Sequence, residues 1–381
     1  MEIAILALGC FWGPEVKFSK LDGVLKTEVG YCGGNSSETN YKEVCTGSTN
    51  HAEVVKLEFD PELISYEKII NFFYEIHDPT TLNSQGPDFG TQYRSEIFYL
   101  NEQQKQIAEK ITNDENTNWL QENIDKVKII DCSWHMPQTK RNGFDEYEKE
   151  HIKNAIFFDL DKNSNQNTDL PHMLTDLNSW EKIMSEMGIN NNDEIVIYDN
   201  SDVISSCRCW YNLIFFGHNP SLAHVLDGGL KKWKKENKSI DNNSISIKES
   251  NYKALEKKEL VKNKKEVDEN ITKNEFNIVD ARSKERFEGK VAEPRKGLRS
   301  GSIKNSFCLP FGELINEDHT FINKDKIMEK FESINFDHTK NLVFSCGSGV
   351  TASVLALAYS LINDKYMPTI YDGSWSEYGK S

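Results

Sequence analysis

Short apolar runs alternate with amphipathic stretches along the whole chain. Ile3-Ala4-Ile5-Leu6-Ala7-Leu8 is an unbroken apolar run of strand length, and strand signals recur at residues 24–31, 52–59 and 95–100. Helix signals fall at residues 13–20, 66–76 and 102–112. Residues 1–113 therefore predict an α+β unit, a mixed sheet flanked by helices. The polar stretch Asn113–Asn118 lacks periodicity and predicts a linker.

The rest of the chain repeats itself. Ile129-Ile130-Asp131-Cys132 returns as Ile278-Val279-Asp280-Ala281, and Val196-Ile197-Tyr198-Asp199 as Val343-Phe344-Ser345-Cys346. Leu226-Asp227-Gly228-Gly229 returns as Tyr371-Asp372-Gly373-Ser374. The offsets (131 to 280, 199 to 346, 227 to 372) are nearly constant. Each copy alternates β-rich with helical runs, which predicts α/β domains with parallel sheets over 118–240 and 252–381. The Asn/Ser/Lys-rich stretch 237–251 between them reads as a surface linker.

The chain has 381 residues, enough for two or three domains, and 38% hydrophobic residues, as in a globular protein. Its net charge of −15 argues against nucleic acid or an anionic membrane as a partner. No run approaches a membrane span, and the start lacks a basic leader, so a cytoplasmic location is expected. The eight cysteines are scattered, with no zinc-like spacing, which predicts no metal site and fits a reducing compartment.

Two of those cysteines share one setting. Cys10, in Gly9-Cys10-Phe11-Trp12-Gly13, and Cys346, in Cys346-Gly347-Ser348-Gly349-Val350-Thr351, each lie between a strand-like run and a helix-like one. Free N–H groups at such a turn stabilise a thiolate, the nucleophilic form of cysteine. In the first repeat Asp199 occupies the place of Cys346, so that copy lacks the nucleophile and is expected to form a wall of the site.

Gly9–Gly13, Tyr41-Lys42-Glu43-Val44-Cys45, Thr49-Asn50-His51-Ala52-Glu53 and Gly86-Pro87-Asp88-Phe89-Gly90-Thr91-Gln92-Tyr93-Arg94 follow in order. Together they resemble the A-type peptide methionine sulfoxide reductases. The resemblance implies that Cys10 attacks the sulfoxide sulfur and is left as a sulfenic acid. Glu53, helped by Tyr41 and Tyr93, would protonate the departing oxygen, with Asp88 setting the hydrogen bonds. Phe11 and Trp12 would receive the S-methyl group. The family needs no bound cofactor and takes electrons from thioredoxin or another dithiol; its substrate is oxidised methionine in proteins or peptides. A resolving cysteine often lies in a C-terminal tail that this chain replaces with the next domain. Cys32, Cys45 and Cys132 are the candidates for that role, Cys45 and Cys132 also reading as core residues.

The repeat, the Cys346 loop, Asp280-Ala281-Arg282-Ser283 and Glu293-Pro294-Arg295 resemble the two-domain rhodanese-fold sulfurtransferases. The loop is similar to that of the 3-mercaptopyruvate branch. The resemblance implies a Cys346 persulfide formed from 3-mercaptopyruvate or thiosulfate, and sulfur transfer to a thiophilic acceptor. Arg286 and Arg295 would hold the carboxylate of the small anionic donor. Gly347, Gly349, Val350 and Thr351 would cradle the sulfur. Ser348 would help move the proton, with His151 as its neighbour. The matching acid is expected a little upstream of that histidine, where the chain reads Lys140-Arg141-Asn142, so the relay is expected to be weakened. His172, in Pro171-His172-Met173-Leu174, reads as a packed residue, and Cys207, Cys209 and Cys308 as core residues.

The leading expectation is thus one chain with two activities. The alternative is a sulfurtransferase whose shortened reductase segment only binds methionine-rich partners. A third reading couples the sites, with sulfur chemistry at Cys346 regenerating Cys10.

Overall fold

In a computed structural model of the protein every residue is described except Thr80, Leu82, Asp364 and Ser381, and all side chains except also those of residues 113–116. The chain divides into two compact units, Met1–Asn118 and Trp119–Ser381.

The first unit contains β1 (Glu2–Leu8), α1 (Trp12–Phe18), β2 (Val24–Cys32), α2 (Tyr41–Val44), β3 (Ala52–Phe59) and α3 (Tyr66–Ile76). The two-residue strands β4 (Ser84–Gln85) and β5 (Asp88–Phe89) follow, then β6 (Ser95–Phe98) and α4 (Glu102–Asn123). The main sheet runs β2-β3-β1-β6. Its three ladders are all antiparallel, a narrower pairing than the mixed sheet expected. Helix α3 forms because Tyr66, Ile69, Ile70 and Phe73 fall on one buried face. The Ser65 side chain accepts the Lys68 N–H at its start, a cap that stabilises by about 1 kcal/mol. These side chains meet Ala4, Leu6, Leu8, Val55, Leu57 and Phe59 from one face of the sheet.

The expected linker at 113–118 is helical, since α4 continues through it to Asn123. Its polar side chains conceal what the flanks supply: Ala108 and Ile111 belong to the first unit's core, Leu120 and Ile124 to a core of the second.

The second unit holds both repeats. Copy one has β7 (Lys128–Asp131), α5 (Gly143–Lys149), β8 (His151–Ile152), β9 (Ala155–Phe157), α6 (Leu177–Glu186) and β10 (Ile195–Tyr198). It continues with α7 (Ser206–Phe215), β11 (Ala223–Val225), α8 (Gly229–Lys235) and β12 (Ile240–Asp241). Copy two has β13 (Val261–Lys262), α9 (Lys264–Lys273), β14 (Asn277–Asp280), α10 (Lys284–Phe287) and β15 (Phe307–Cys308). After these come α11 (Lys324–Ser333), β16 (Leu342–Ser345), α12 (Val350–Ser360), β17 (Ile370–Tyr371) and α13 (Ser374–Tyr378).

The sheets run β11-β10-β7-β9 and β13-β17-β16-β14-β15, parallel at every rung. The order is the same in both copies, with β13 added at one edge. Strands buried on both faces need continuous apolar runs, and all four residues of β10 and of β16 are buried. Helices α7 and α12 pack against each other between the copies, so every residue of α7 and most of α12 are buried. Most of residues 237–251 lie exposed, but Ile240–Asp241 pairs with His151–Ile152 and so ties that segment to copy one.

Two candidate active sites

Cys10 lies half-buried between β1 and α1, after Gly9 at φ +83°. A side chain at Gly9 would collide with Gln85, so glycine permits the segment carrying β4 to pack against this turn. The Phe11 N–H donates to Glu53 Oε2 at 3.2 Å. Glu53 is 3% exposed on β3, directly across the ladder from Tyr31. Burial pushes its carboxyl above the ordinary range; the Phe11 N–H opposes this and Asp88 adds to it. The same charges reach the phenols. Burial and then Glu53 raise Tyr31 and Tyr93. Tyr41 is exposed, and its hydrogen bond with Cys45 raises it first, with Tyr93 and Glu53 also contributing. Glu53, Tyr41, Tyr93 and Asp88 therefore share one electrostatic neighbourhood, which favours the protonated form of the Glu53 carboxyl. The Phe11 ring lies 5.9 Å from that of Tyr31 and 6.1 Å from that of Trp12, which is largely exposed. These rings form an open apolar rim.

The three candidate resolving cysteines differ sharply. Cys32 faces Ala52 and packs with Ile5, Ala7, Val54 and Phe98, on the sheet face opposite Glu53. Cys132 is fully buried, donating to the Ser205 carbonyl, and burial drives its thiol well above the usual range. Cys45 is not a core residue: it is exposed at the end of α2, beside Tyr41, because only Val44 of that turn points inward.

Cys346 follows β16 and is 1% exposed. The loop Cys346–Gly349 turns into α12 through Gly349 at φ +80°. Copy two's last turn builds its floor. Ser374 Oγ accepts the Cys346 N–H at 3.1 Å, and Trp375 N–H donates to the Cys346 carbonyl at 2.9 Å. Ser376 donates to the Gly347 carbonyl through both its N–H (2.8 Å) and its Oγ (2.6 Å). Arg295 donates to Ser376 Oγ at 3.1 Å and to Ser348 Oγ at 3.3 Å. A methyl group built on Gly347 would lie 3.5 Å from Arg286 Nη2 and 3.6 Å from Arg295 Nη1. Both guanidinium groups thus face the loop. Arg286 is itself held by Glu293, which also takes a hydrogen bond from the buried Arg282. Val350 is buried and Thr351 half-buried in the first turn of α12.

The partner of Ser348 is not His151. His172 Nδ1 lies 2.9 Å from Ser348 Oγ, and His172 Nε2 lies 3.1 Å from Asp161 Oδ1. Trp134 Nε1 donates to Asp161 Oδ2 at 3.0 Å, and its ring packs edge-on against the imidazole at 4.6 Å. His151 stacks on Tyr147 and bonds its backbone carbonyl at 2.7 Å. The expectation fails because β8 pairs His151 into a strand ladder with β12, whereas the loop carrying His172 reaches across to copy two. The acid is also elsewhere: Arg141 forks onto Glu146, and Asp161 is the carboxylate that meets His172. Burial lowers the His172 pKa while Asp161 props it up, so the imidazole is neutral near pH 7. With Nε2–H donating to Asp161, Nδ1 is free to accept the Ser348 proton.

In copy one the Asp199 carboxylate fills the turn that matches the Cys346 loop, accepting the N–H groups of Ser201 (2.7 Å) and Ser206 (2.9 Å). Sequence reading missed Asp161, His172, Ser374 and Ser376. The repeated Asp-Gly-x segment before Ser374 was a usable signal for the floor; nothing local marked Asp161.

Comparison with known proteins matches the chain to two families, and the two family models overlap over residues 116–174. The peptide methionine sulfoxide reductase family model matches residues 2–174, and the rhodanese-like domain model matches 116–236 and 263–381. The peptide methionine sulfoxide reductase MsrA of Pelagibacter ubique is 79% identical over 111 residues, 29% of this chain and 76% of that protein. The 3-mercaptopyruvate sulfurtransferase of Escherichia coli K12 is 34% identical over 265 residues, 69% of this chain and 93% of that protein. A crystal structure of the 3-mercaptopyruvate sulfotransferase SseA from Escherichia coli superposes with a TM-score of 0.62 at 32% identity, covering 68% of this chain and 98% of that one. The chain therefore belongs to two families at once, the peptide methionine sulfoxide reductases through its first unit and the rhodanese-fold proteins through its second.

Proposed function

We propose that the protein is a bifunctional enzyme that reduces methionine S-sulfoxide at Cys10 and transfers sulfur from 3-mercaptopyruvate or thiosulfate through a persulfide at Cys346. The observation that carries the second half is the Asp161–His172–Ser348 chain ending beside a cysteine loop that two arginines face. A proton relay would be idle in a protein that only binds.

At Cys346 the thiolate attacks the donor sulfur and the carbon–sulfur bond breaks. Its electron pair leaves on the pyruvate enolate, which then takes up a proton; with thiosulfate the sulfur–sulfur bond breaks instead and sulfite carries the pair away. Arg286 and Arg295 hold the carboxylate, and the Cys346–Gly349 loop surrounds the new persulfide. Ser348 passes a proton to His172 Nδ1 and later returns it, while Asp161 keeps the imidazole oriented. The persulfide then passes its outer sulfur to a thiol.

At Cys10 the sulfur–oxygen bond breaks, oxygen passes to Cys10 as a sulfenic acid, and methionine leaves. Glu53 is the acid, and Tyr41 and Tyr93 assist it through their hydroxyls. Phe11 and Trp12 receive the S-methyl group, and Asp88 holds the surrounding charge. Burial of Glu53 beside the Phe11 N–H, with its pKa raised by desolvation, supports an acid's role over that of a binding-only module. A dithiol protein such as thioredoxin reduces the sulfenic acid. A cytoplasmic location fits this need for reductant, and no helix among the described residues is long and apolar enough to cross a membrane.

Paired substitutions test the assignment. Cys10→Ser should abolish methionine release and leave pyruvate release unchanged; Cys346→Ser should do the reverse. Loss of both activities in either variant, or of neither, would contradict it.

A further inference from the structure

Among the described residues Arg208 is the one arginine that is fully buried, at 0% exposure, and no step above uses it. It stands on α7 of copy one, the copy without a nucleophile. Its guanidinium nevertheless reaches the chemistry of copy two. Nη2 donates to the backbone carbonyl of His172 at 2.6 Å and to Asp372 Oδ1 at 2.7 Å. Nη1 points to the carbonyl of Gly349, in the Cys346 loop, at 3.4 Å. Asp372 Oδ2 accepts the N–H of Leu174, two residues past His172, at 2.8 Å. One planar fork therefore ties the His172 loop to the far end of the nucleophile loop.

The backbone it holds needs holding. His172 has φ +59°, a left-handed conformation that costs a non-glycine residue about 1 kcal/mol or more and persists only when its surroundings impose it. Gly349 is likewise left-handed, and a side chain there would run into Arg208 Nη1 at 2.5 Å. The glycine thus provides the φ angle and also the space for the arginine. Helix α12 of copy two, Val350–Ser360, contains no arginine, so the device belongs to copy one alone.

We propose that Arg208 is a positioning residue for sulfur transfer, fixing His172 and the Ser348-bearing loop in register so that the proton passes between them. It touches neither substrate nor Cys346; it acts through His172. The inference rests on the sulfurtransferase reading above. It also gives copy one a defined role, because its helix, relieved of the nucleophile, supplies the clamp for its partner's site.

The test measures pyruvate release from 3-mercaptopyruvate by the full chain with a thiol acceptor, and uses methionine release at Cys10 as an internal control. Small displacements of a relay are expensive, so Arg208→Met should lower kcat by about tenfold or more with KM within about threefold, because Arg286 and Arg295 are untouched. Arg208→Lys should recover most of the loss: an ammonium can still donate to His172 O and Asp372, and Nε has no partner among the described residues to lose. If Arg208 acts through His172, Arg208→Met should cost less than about twofold in a His172→Asn background. The proposal is overturned if the cost is equal in both backgrounds, if KM rises at constant kcat, or if the lysine variant is as impaired as the methionine one. Should Arg208→Met fail to fold, Arg208→Lys and the charge-balanced Arg208→Met/Asp372→Asn variant, each with and without His172→Asn, give the same decision. A wild-type protein that released no pyruvate would instead overturn the sulfurtransferase reading itself.

Discussion

A buried imidazole that shares a proton with a carboxylate on one side stays neutral and ready to accept on the other, and His172 is in that state. Because burial lowers its pKa from 6.5, the neutral form persists below the ordinary histidine range. Sulfur transfer should therefore fall only as pH drops beneath that range. Asp161→Asn removes the group that props the pKa up, so the acidic limb should move to still lower pH while kcat falls. A limb that moves upward would contradict the relay. His172→Ala should reduce pyruvate release by about 100-fold and His151→Ala by less than threefold, a typical span for an acid–base group and a bystander. Glu53 has the opposite sign: burial raises its pKa, so the acid form survives to higher pH, and methionine release in a single turnover should decline as pH rises through that value. Glu53→Gln keeps the acceptor for the Phe11 N–H, should cost about 100-fold in rate, and should flatten the pH dependence. Unchanged pH dependence in that variant would remove Glu53 from its role.

Each nucleophile stands at a strand-to-helix turn, and the turn's quality depends on one glycine. Gly349→Ala must force a left-handed alanine and press its methyl group on Arg208, so destabilisation of about 1–3 kcal/mol is expected, with loss of sulfur transfer. Thermal unfolding and pyruvate release measure the two effects. Strands and helices were legible because apolar runs and amphipathic faces are local: β1, β2, β3 and α3 fall on the residues their patterns predict. The repeat likewise foretold that both sheets share one strand order. What was not legible is what crosses between elements. Nothing local marks His172 over His151 as the partner of Ser348; the path of the 158–176 loop, held by Asp372 and Arg208 far along the chain, brings His172 there. The residue pattern ends α4 too early because its polar centre hides the apolar positions Trp119, Leu120 and Ile124 beyond it.

The candidate reductase residues Cys10, Tyr41, Glu53, Asp88 and Tyr93 all lie in the first compact unit, and Cys346, Ser348, His172 and Asp161 in the second. The buried clusters of the first unit share no residue with those of the second. Two unfolding transitions should therefore appear on heating. Leu120→Ala, which empties part of a second-unit core, should lower only the transition that coincides with loss of sulfur transfer, by about 2–5 kcal/mol in stability. A single cooperative transition for both activities would contradict two independent units. The central claim, two cysteines with different products, is tested most directly by the mass of their peptides after each substrate is supplied alone, without reductant. With 3-mercaptopyruvate, the Cys346 peptide should gain one sulfur atom and the Cys10 peptide none. With a methionine sulfoxide peptide, Cys10 should gain one oxygen atom or appear in a disulfide, and Cys346 should be unchanged. Sulfur on Cys10 after the first substrate, or no change at Cys10 after the second, would contradict the account.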